Sequence, residues 1–416
     1  MGGAPDVNGD SGSDRTPRVL LIVLLAITSA SYIDRIAISV LAPTLRDEFG
    51  MSNSEYALVI NFFMVTYMIM YSVGGRLADL LGFRKALSLY IVWWSVSGAL
   101  HGLSAGFRTL AASRLLLAVG QGGVWPAGVK TVAHNVRGPL RSLGVGIVNF
   151  GSSLGSALSV PIVGWLAVMW GWRAAFAIAG LMSLLLVPIW LLVTKRRAPT
   201  GKESARRKRT PWIRVIRYRQ AWSVFVGRLI SAGAWGFYTY WIPEYLTRER
   251  GLNLMEIGLM AWIPFVAAGL GDLSGSGATS WLVARGWSID RARKTVLVAA
   301  AGAALAGIGT AYAPGAWSAM ACISIGALGF KIVSVNLLNM PADFFPPSYV
   351  GTAFGFSGTG GSAGIVLTNA MIGWVLDATG SYWLVLVGVS SLTPLSVIGA
   401  LLLARRIERV KGLPDD

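Results

Sequence analysis

Cysteine and histidine are scarce in this sequence, which contains 1 Cys and 2 His in 416 residues. The lone Cys322 excludes an internal disulfide and offers no cluster of metal ligands. No nucleotide-binding glycine loop and no long soluble domain are apparent in the sequence either. We therefore expect no metal, no cofactor and no enzymatic activity. His101 and His134 fall at the ends of apolar segments, and we expect both at the surface.

Charged residues are also few, at 13% of the chain, whereas 54% are hydrophobic and the mean hydropathy is +0.60. Such a composition is typical of an integral membrane protein. A helical span needs about 20 apolar residues, and the continuous apolar runs favour helices over the alternating strands of a membrane barrel. The twelve predicted spans are 19–41, 56–78, 86–104, 109–133, 141–168, 172–194, 219–242, 256–284, 295–313, 317–341, 350–376 and 381–404.

Acidic residues are outnumbered, with 19 Asp and Glu against 36 Lys and Arg and a formal net charge of +17. The positive residues concentrate on one side of the predicted spans, above all in the stretch 195–219, which contains eleven of them. This positive-inside pattern predicts a bacterial-type cytoplasmic (inner) membrane protein with both termini in the cytoplasm. The basic stretch is expected to lie against anionic lipid heads of the bilayer. No nucleic acid is needed to explain the charge.

An internal repeat divides the chain into two related halves. A shift of 209 residues produces the following matches: Arg84-Lys85 with Arg293-Lys294, Gly146 with Gly355, Gly151 with Gly360, Ser153 with Ser362, Gly155 with Gly364, and Gly164-Trp165 with Gly373-Trp374. Chance rarely keeps one offset through two regions. The predicted domains are a disordered tail over 1–18, a six-helix bundle over 19–194, a basic cytoplasmic linker over 195–218, a second six-helix bundle over 219–404 and a cytoplasmic tail over 405–416.

Two adjacent opposite charges, Asp34 and Arg35, stand inside the first apolar run. A charge at bilayer depth costs about 2.5 to 3.5 kcal/mol or more, so it persists mainly where it faces a partner or a water-filled cavity. In the fourth span Arg114 shares one helical stripe with Gln121 and Trp125. Arg114 is thus the expected partner of Asp34, either in a polar pathway or in a structural ion pair that joins spans one and four.

The loop between spans two and three reads GRLADLLGFRK over residues 75–85. It resembles the conserved cytoplasmic motif of the major facilitator superfamily. The resemblance implies an all-α integral membrane protein with twelve transmembrane helices in two six-helix pseudo-symmetric halves, which rock about a central site. It also implies that Gly75 and Gly82 permit close helix approach. The same motif implies that Asp79, with the basic residues Arg84 and Lys85, latches the closed gate.

Other stretches resemble the anion:cation symporter family of that superfamily, in particular its hexuronate-type sugar-acid transporters. They are the Tyr32-to-Arg35 segment, the run 114–130 and the second-half runs 240–246, 262–265, 285–287, 292–294 and 341–346. The resemblance implies that Arg35, with Tyr32 beside it, grips the carboxylate of an organic anion. A planar guanidinium suits that task because it can pair bidentately and keeps its proton. On this interpretation Asp34, beside Arg114, is the protonatable group of a proton symporter.

One residue departs from that family's pattern. Where the fourth-span motif usually has Glu seven residues after the arginine, this sequence has Gln121. Gln keeps the shape and hydrogen bonding of Glu but cannot titrate. Three explanations stay open: Asp34 alone carries the proton, the protein is an exchanger or facilitator, or Gln121 was placed by mutagenesis to trap one state.

Further candidates for substrate contact each have an ordinary packing alternative. In span seven Tyr238 and Trp241 form part of an aromatic rim that would suit sugar rings. In span ten Lys331 and Asn336 lie about 140° apart on a helical wheel, so they cannot both face one narrow site. Asn336 matches the family pattern, whereas Lys331 departs from it and favours a dianion, a differently placed carboxylate or snorkelling to the interface.

The same resemblance suggests substrate contacts in several other spans. These candidates are Tyr67, Gln121, Trp125, Asn149 and Thr359. Thr359 stands in a glycine-rich run, for which close helix packing is an equal explanation.

Together these features predict a secondary active transporter for an organic anion such as a hexuronate, coupled to protons and working by alternating access. The alternative within that class is another carboxylate, such as an aldonate, aldarate, aromatic acid or monocarboxylate, moved by exchange or weakly coupled symport. A membrane sensor or enzyme would need a soluble or catalytic unit that the sequence does not suggest. The expected partners are a small organic anion, a proton and the lipid bilayer, without nucleic acid, and the expected state is a monomer.

Overall fold

The computed structural model describes residues 15–136, 140–195, 212–410 and 413. Within these residues the regular secondary structure is helical, with no strand, and the predicted all-α fold is confirmed. The tail predicted over 1–18 lies mostly outside the described residues, because the first helix begins at Arg15. Most of the linker predicted over 195–218 also lies outside them.

Eight helices come from the first half. They are α1 (Arg15–Val40), α2 (Ala42–Phe49), α3 (Asn53–Leu81), α4 (Phe83–Leu100), α5 (Phe107–Gln121), α6 (Val124–Asn135), α7 (Leu140–Met182) and α8 (Leu186–Val193). Short 3-10 turns follow α4 at His101–Leu103 and α7 at Ser183–Leu185. Inside α7 the chain turns at Gly171, whose φ of 81° favours glycine. This helix therefore contains the fifth predicted span and the first part of the sixth, which continues through the 3-10 turn into α8.

Nine helices come from the part after the linker. They are α9 (Trp212–Ile216), α10 (Arg219–Tyr240), α11 (Ile242–Arg250), α12 (Leu254–Met260), α13 (Ile263–Ala284), α14 (Ile289–Ala304), α15 (Ala316–Phe344), α16 (Pro347–Thr379) and α17 (Tyr382–Leu403). A 3-10 segment, Leu305–Tyr312, continues α14. Spans one and seven both break one or two residues before a proline, Pro43 and Pro243, because proline cannot donate the hydrogen bond that continues a helix.

Nine helical segments of the described part are long and apolar enough to cross a membrane. One of them, 144–193, contains the turn at Gly171 and is long enough for two crossings. The α5–α6 pair and α10 fall outside this set of nine; α5 and α6 have only 15 and 12 residues. The membrane-spanning helical fold is thus confirmed, whereas the count of twelve crossings stays a prediction.

Two glycines matched by the repeat hold equivalent helices together in the two halves. A Cβ atom on Gly155 of α7 would lie 2.3 Å from the carbonyl oxygen of Ser29 in α1. A Cβ atom on Gly364 of α16 would lie 1.9 Å from the carbonyl oxygen of Leu229 in α10. Backbone therefore meets backbone at both places, as in the small-residue helix contacts of membrane proteins.

The halves meet at the end of the bundle away from the chain termini, here called the distal end. Asp377, in the last turn of α16, accepts hydrogen bonds from the backbone N–H groups of Asn53 at 2.8 Å and Ser54 at 2.9 Å. A carboxylate there satisfies free donors at the start of α3 and complements the helix dipole. The Tyr56 hydroxyl also donates to the carbonyl oxygen of Tyr240 at 2.8 Å. These contacts join the halves at the distal end.

The two histidines and the C-terminal tail lie in different surroundings at the ends of the helices. His101 is not at the surface: it is fully buried, its ring stacks on Phe176 at 5.1 Å and its Nδ1 lies 2.8 Å from the carbonyl oxygen of Ser97. His134 is exposed. The start of the predicted tail over 405–416 packs back on the bundle, where the backbone N–H of Val410 donates to the carbonyl oxygen of Phe344 at 2.9 Å.

Candidate functional site

Arg35 lies in a buried cradle built by α1, α3 and α5. Its guanidinium carbon is 4.3 Å from the ring centre of Tyr32 and 4.3 Å from that of Tyr67, and its Nε donates to Gln121 Oε1 at 3.1 Å. Arg35 is only 7% exposed. Aromatic faces attract a cation more strongly when water is excluded, so this environment can keep a charged guanidinium inside the bundle.

Gln121 ties the cradle to the backbone of α1. Its Oε1 accepts from Arg35, and its Nε2 donates to the carbonyl oxygen of Ser31 at 2.8 Å. Both polar ends of this buried amide are therefore satisfied. The arrangement fixes which side of the amide faces the arginine.

Asp34 points away from the cradle. Adjacent residues on a helix differ by about 100° in direction, and Asp34 faces α4 and the 3-10 turn after α7, where Ser183 Oγ donates to its Oδ2 at 3.2 Å. A Cβ atom on Gly98 of α4 would lie 3.6 Å from Asp34 Cγ. The carboxylate is 4% exposed, so it lies inside the first half rather than on the wall that carries Arg35.

The predicted ion pair between Asp34 and Arg114 is wrong. None of the ion pairs found among the described residues includes Asp34; instead Arg114 Nη1 donates to the carbonyl oxygen of Arg35 at 3.2 Å. Arg114 is 1% exposed, and its Nε and Nη2 have no hydrogen-bond partner. The arginine therefore braces the backbone of α1 behind the cradle.

An aromatic row continues from the cradle along α3. Phe63 stacks on Tyr67 at 5.8 Å, Tyr67 contacts Tyr71 at 6.1 Å, and Tyr71 stacks on Trp125 at 5.8 Å. The α3 members are spaced four residues apart and so share one helix face. Tyr67 and Trp125 thus belong to one continuous surface with Arg35. Their contact with a substrate stays a prediction.

A second group of charges, here called the second-half cluster, comprises Arg228, Asp272 and Lys331 with Trp235 and Ser334. Lys331 Nζ lies 3.1 Å from Asp272 Oδ2 and 4.2 Å from the ring centre of Trp235. Arg228 Nη1 donates to Ser334 Oγ at 2.6 Å. Lys331 is therefore paired inside the bundle and does not snorkel.

Sequence reasoning missed Arg228 and Asp272. Each is a charge within a predicted span, 219–242 or 256–284, which is the same signal that singled out Asp34. The same signal applies to Asp272, the partner of Lys331 in predicted span eight.

Three predicted contacts lie away from the cradle. Asn336 is fully buried: its amide donates to the carbonyl oxygen of Gly275 at 3.1 Å, and its Oδ1 accepts from Arg293 and Thr279. It holds α13, α14 and α15 together, and its contact with a substrate stays a prediction. Its four polar partners, which all lie on these helices, are Gly275, Thr279, Arg293 and Ile332.

Tyr238 and Trp241 are also turned away from the cradle. Tyr238 is 3% exposed and packs beside Gly307, on which a Cβ atom would lie 3.5 Å from the Tyr238 hydroxyl. Trp241 is fully buried, and its Nε1 donates to Asn369 Oδ1 at 3.1 Å. The Trp241 ring also lies 5.2 Å from the ring of Tyr56 in α3, where the two halves meet. The contact of Tyr238 and Trp241 with a substrate stays a prediction.

Asn149 and Thr359 remain predictions. Asn149 on α7 is exposed. Thr359 is partly buried and its Oγ1 donates to the carbonyl oxygen of Gly355, four residues earlier, at 3.2 Å. A Cβ atom on the neighbouring Gly360 would lie 2.7 Å from the carbonyl oxygen of Phe225, so this run does pack closely against α10.

The predicted gating motif forms the α3–α4 junction. Gly82 joins the two helices with a φ of 76°, which favours glycine, and a Cβ atom on Gly75 would lie 3.6 Å from Pro126. Arg84 Nη2 donates to the carbonyl oxygen of Leu191 at 3.1 Å. Lys85 is exposed, and the side chain of Asp79 lies outside the described residues. The latch itself stays a prediction.

Four charged residues form a network at the distal end, here called the distal ion network. Arg46 and Asp47 come from α2, and Glu244 and Arg248 from α11. The Glu244 side chain is fully buried; its Oε1 accepts from Arg46 Nη1 and, at 3.1 Å, from Arg248 Nε. Arg248 Nη2 also donates to Asp47 Oδ1. The network therefore bridges the two halves.

Comparison with known proteins identifies the family. The model of the Major Facilitator Superfamily matches residues 24–369. The chain belongs to this superfamily. The resemblance read from the sequence is confirmed, and so is the superfamily's helical fold.

Several relatives within the superfamily match most of the chain. The hexuronate transporter of Escherichia coli (strain K12) is 28% identical over 385 residues, which cover 87% of this chain and 88% of that protein. The probable sulfoacetate transporter of Cupriavidus necator is 30% identical over 412 residues, which cover 93% and 92%. The galacturonate transporter of Dickeya chrysanthemi is 31% identical over 265 residues, which cover 60% and 77%.

A solved superfamily structure shares the fold. The crystal structure of a bacterial homolog of the human lysosomal transporter Spinster has a TM-score of 0.75 and 18% sequence identity, and covers 95% of this chain and 96% of its own. At that identity the likeness concerns the fold alone. The superfamily consists of transporters, so this chain is a membrane transport protein.

Proposed function

We propose that this protein is a secondary active transporter that moves sugar-acid-type organic anions across a bacterial cytoplasmic membrane by alternating access. The observation that carries the proposal is the buried cradle of Arg35. A guanidinium can hold a carboxylate, and aromatic faces can pack on the C–H face of a sugar. Relatives named for the transport of hexuronate, galacturonate and galactonate agree with this substrate class.

The geometry of the cradle suggests how Arg35 would bind substrate. Its Nε is occupied by Gln121, so the two terminal nitrogens are the atoms that would donate to a carboxylate. The rings of Tyr32 and Tyr67 lie against the guanidinium and limit its rotation. A guanidinium held in one orientation loses less entropy when it binds.

Proton symport is part of the proposal, with Asp34 as the group that titrates and Arg114 as the neighbour that stabilises its charged form. Gln121 donates to the carbonyl oxygen of Ser31, a contact that a glutamate could make only when protonated. Gln121 thus imitates a permanently protonated acid. Asp34 is left as the acid next to the cradle that can exchange a proton.

The distal ion network and the Asp377 contacts support a state in which the distal end is closed. We take both termini as cytoplasmic from the positive-inside pattern, so the distal end faces outward and the cradle would open to the cytoplasm. Both halves come from one chain, and a monomer therefore suffices for the transport cycle.

A second candidate is the movement of another carboxylate by exchange or weakly coupled symport. Gln121 favours it, because the cradle then lacks the titratable acid that the symporter pattern has at this place. Exchange would need only that Arg35 bind one anion on each side in turn.

Uptake by proteoliposomes tests these proposals. Labelled galacturonate, galactonate and acetate would be offered with and without an inward proton gradient, to the wild-type protein and to Arg35→Ala. We expect the wild type to accumulate at least one sugar acid above equilibrium only with the gradient. Arg35→Ala should abolish saturable uptake of every carboxylate, because no other group in the cradle donates bidentately.

The matched control is Arg108→Ala, which removes an exposed arginine of α5 outside the cradle and should leave uptake unchanged. Asp34→Asn should remove the gradient dependence while counterflow of labelled substrate continues. Full affinity in Arg35→Ala would contradict the binding role, and gradient-driven accumulation in Asp34→Asn would contradict the coupling role.

A further inference from the structure

The second-half cluster has an excess of positive charge that its own residues do not balance. Asp272 pairs with Lys331 at 3.1 Å, which leaves Arg228 as an additional cation. Arg228 Nη1 donates to the neutral Ser334, and its buried Nε has no hydrogen-bond partner. A guanidinium within an apolar helix is stabilised most by an anionic partner that it can bind through several N–H groups.

The repeat relates this cluster to the cradle of Arg35. The shift of 209 residues carries Phe63 onto Asp272 and Gly122 onto Lys331. Phe63 lies 5.1 Å from the guanidinium carbon of Arg35, and Gly122 follows Gln121. Asp272 and Lys331 therefore occupy positions equivalent to two residues that border the cradle in the first half.

The cluster is only partly enclosed. The side chain of Lys331 is 16% exposed and that of Asp272 is 23% exposed. Beside Arg228, α16 has a glycine, Gly361, on which a Cβ atom would lie 3.0 Å from Arg228 Nη2. The guanidinium of Arg228 thus packs directly against the backbone of α16.

We propose that the second-half cluster is a second anion subsite, which binds the far anionic group of a dianionic organic acid whose first carboxylate is held by Arg35. The far group pairs with Arg228 and shares Lys331 with Asp272. Such a substrate bridges the two halves. The inference rests on the proposed function and adds to it a preference for organic dianions over monoanions. Two relatives are named for sulfoacetate and for galactarate/D-glucarate, which carry two anionic groups each.

Binding of matched acids to the purified protein tests the subsite. Galactarate and galactonate share one carbon skeleton and differ by one carboxylate, and sulfoacetate is compared with acetate in the same way. The dissociation constant of each would be measured by calorimetry for the wild type, Arg228→Gln and Lys331→Gln. We expect the wild type to bind the dianion of at least one pair more tightly. Each variant should weaken that dianion about tenfold or more, since a charge-assisted hydrogen bond is lost.

Several controls separate the subsite from a general loss of structure. Galactonate affinity should change less than about twofold in Arg228→Gln and Lys331→Gln, because one charge-assisted contact at Arg35 remains, and this retained binding shows that the variants are folded. Lys331→Arg keeps the charge and should keep the preference for the dianion. Arg35→Ala should weaken both members of a pair.

Two outcomes would overturn the subsite and leave the proposed function intact. One is a wild type that binds monoanions but prefers neither dianion. The other is a pair of variants that weaken monoanion and dianion equally or not at all. A wild type that neither binds nor transports any of these acids refutes the proposed function, and the subsite with it.

Discussion

Replacing Glu244 by Gln is expected to loosen the distal end. Glu244 is the buried acid of the distal ion network, and it receives hydrogen bonds from Arg46 of the first half and from Arg248 of its own helix. Gln keeps the shape and one acceptor oxygen but removes the charge. The two arginines then face each other across the interface with only Asp47 between them.

The expected change in the free energy of the closed state follows from the loss of the charged hydrogen bond between Glu244 and Arg46. A hydrogen bond to a charged group contributes about 1.5 to 3 kcal/mol. The contact between Glu244 and Arg46 crosses the interface, and it exists only while the distal end is closed. We therefore expect the closed state to lose about 2 kcal/mol relative to the open one, which changes their ratio about thirtyfold.

Distances between spin labels across the distal end can measure this ratio. Leu103 in the first half and Trp317 in the second are 78% and 66% exposed at that end and can be replaced by labelled cysteines after Cys322→Ala. Glu244→Gln should add a population at longer distance. Glu249→Gln, which neutralises an exposed acid on the same helix, should not. An unchanged distance distribution in Glu244→Gln would refute the assignment of the network as a gate.

Three further predictions concern the cradle and the helix contacts. Arg35→Lys should reduce transport efficiency about tenfold or more, because an ammonium cannot pair bidentately, as measured by initial uptake rates; an unaffected rate would argue against a guanidinium-specific grip. Gln121→Glu should strengthen gradient-driven accumulation, because a carboxyl at this place can bind and release a proton whereas the amide cannot. Accumulation ratios at several pH values test this, and a ratio equal to that of the wild type would leave Asp34 as the sufficient acid. Gly155→Val should lower the melting temperature by many degrees, since its side chain would overlap the backbone of α1, whereas Gly146→Ala at an uncrowded glycine should not.

Much of the fold could be predicted because the membrane imposes simple rules. Apolar length marked the spans, and the repeat offset predicted the equivalence of Gly155 and Gly364, which the helix contacts bear out. The failure at Asp34 has a physical reason: a shared span does not fix which neighbour a side chain faces, and Asp34 faces α4 and Ser183, whereas Arg114 lies on α5. Sequence alone could not assign Arg114 to the backbone of α1, because that depends on how far apart two helices pack.

Polar residues of the second half were harder to interpret. Asn336 and Arg293 satisfy each other inside the half, and their spacing of 43 residues carries no periodic signal. Tyr238 and Tyr240 differ by two positions, which turns them to nearly opposite helix faces. Only Tyr240 faces the first half, where its hydroxyl lies 3.6 Å from Met64 Sδ.

The paired glycine contacts have a consequence for how such a protein can diverge after gene duplication. Where backbone touches backbone, no neighbouring side chain can shrink to accommodate a substitution, so a helix must move instead. This restriction applies to Gly155 in the first half and to its equivalent Gly364 in the second. Positions on the central walls are free of it. There the first half has Arg35 between aromatic rings, and the second half has Lys331, Asp272 and Arg228. The equivalent glycines therefore preserve the evidence of common ancestry, whereas the residues on the central walls have become different in the two halves.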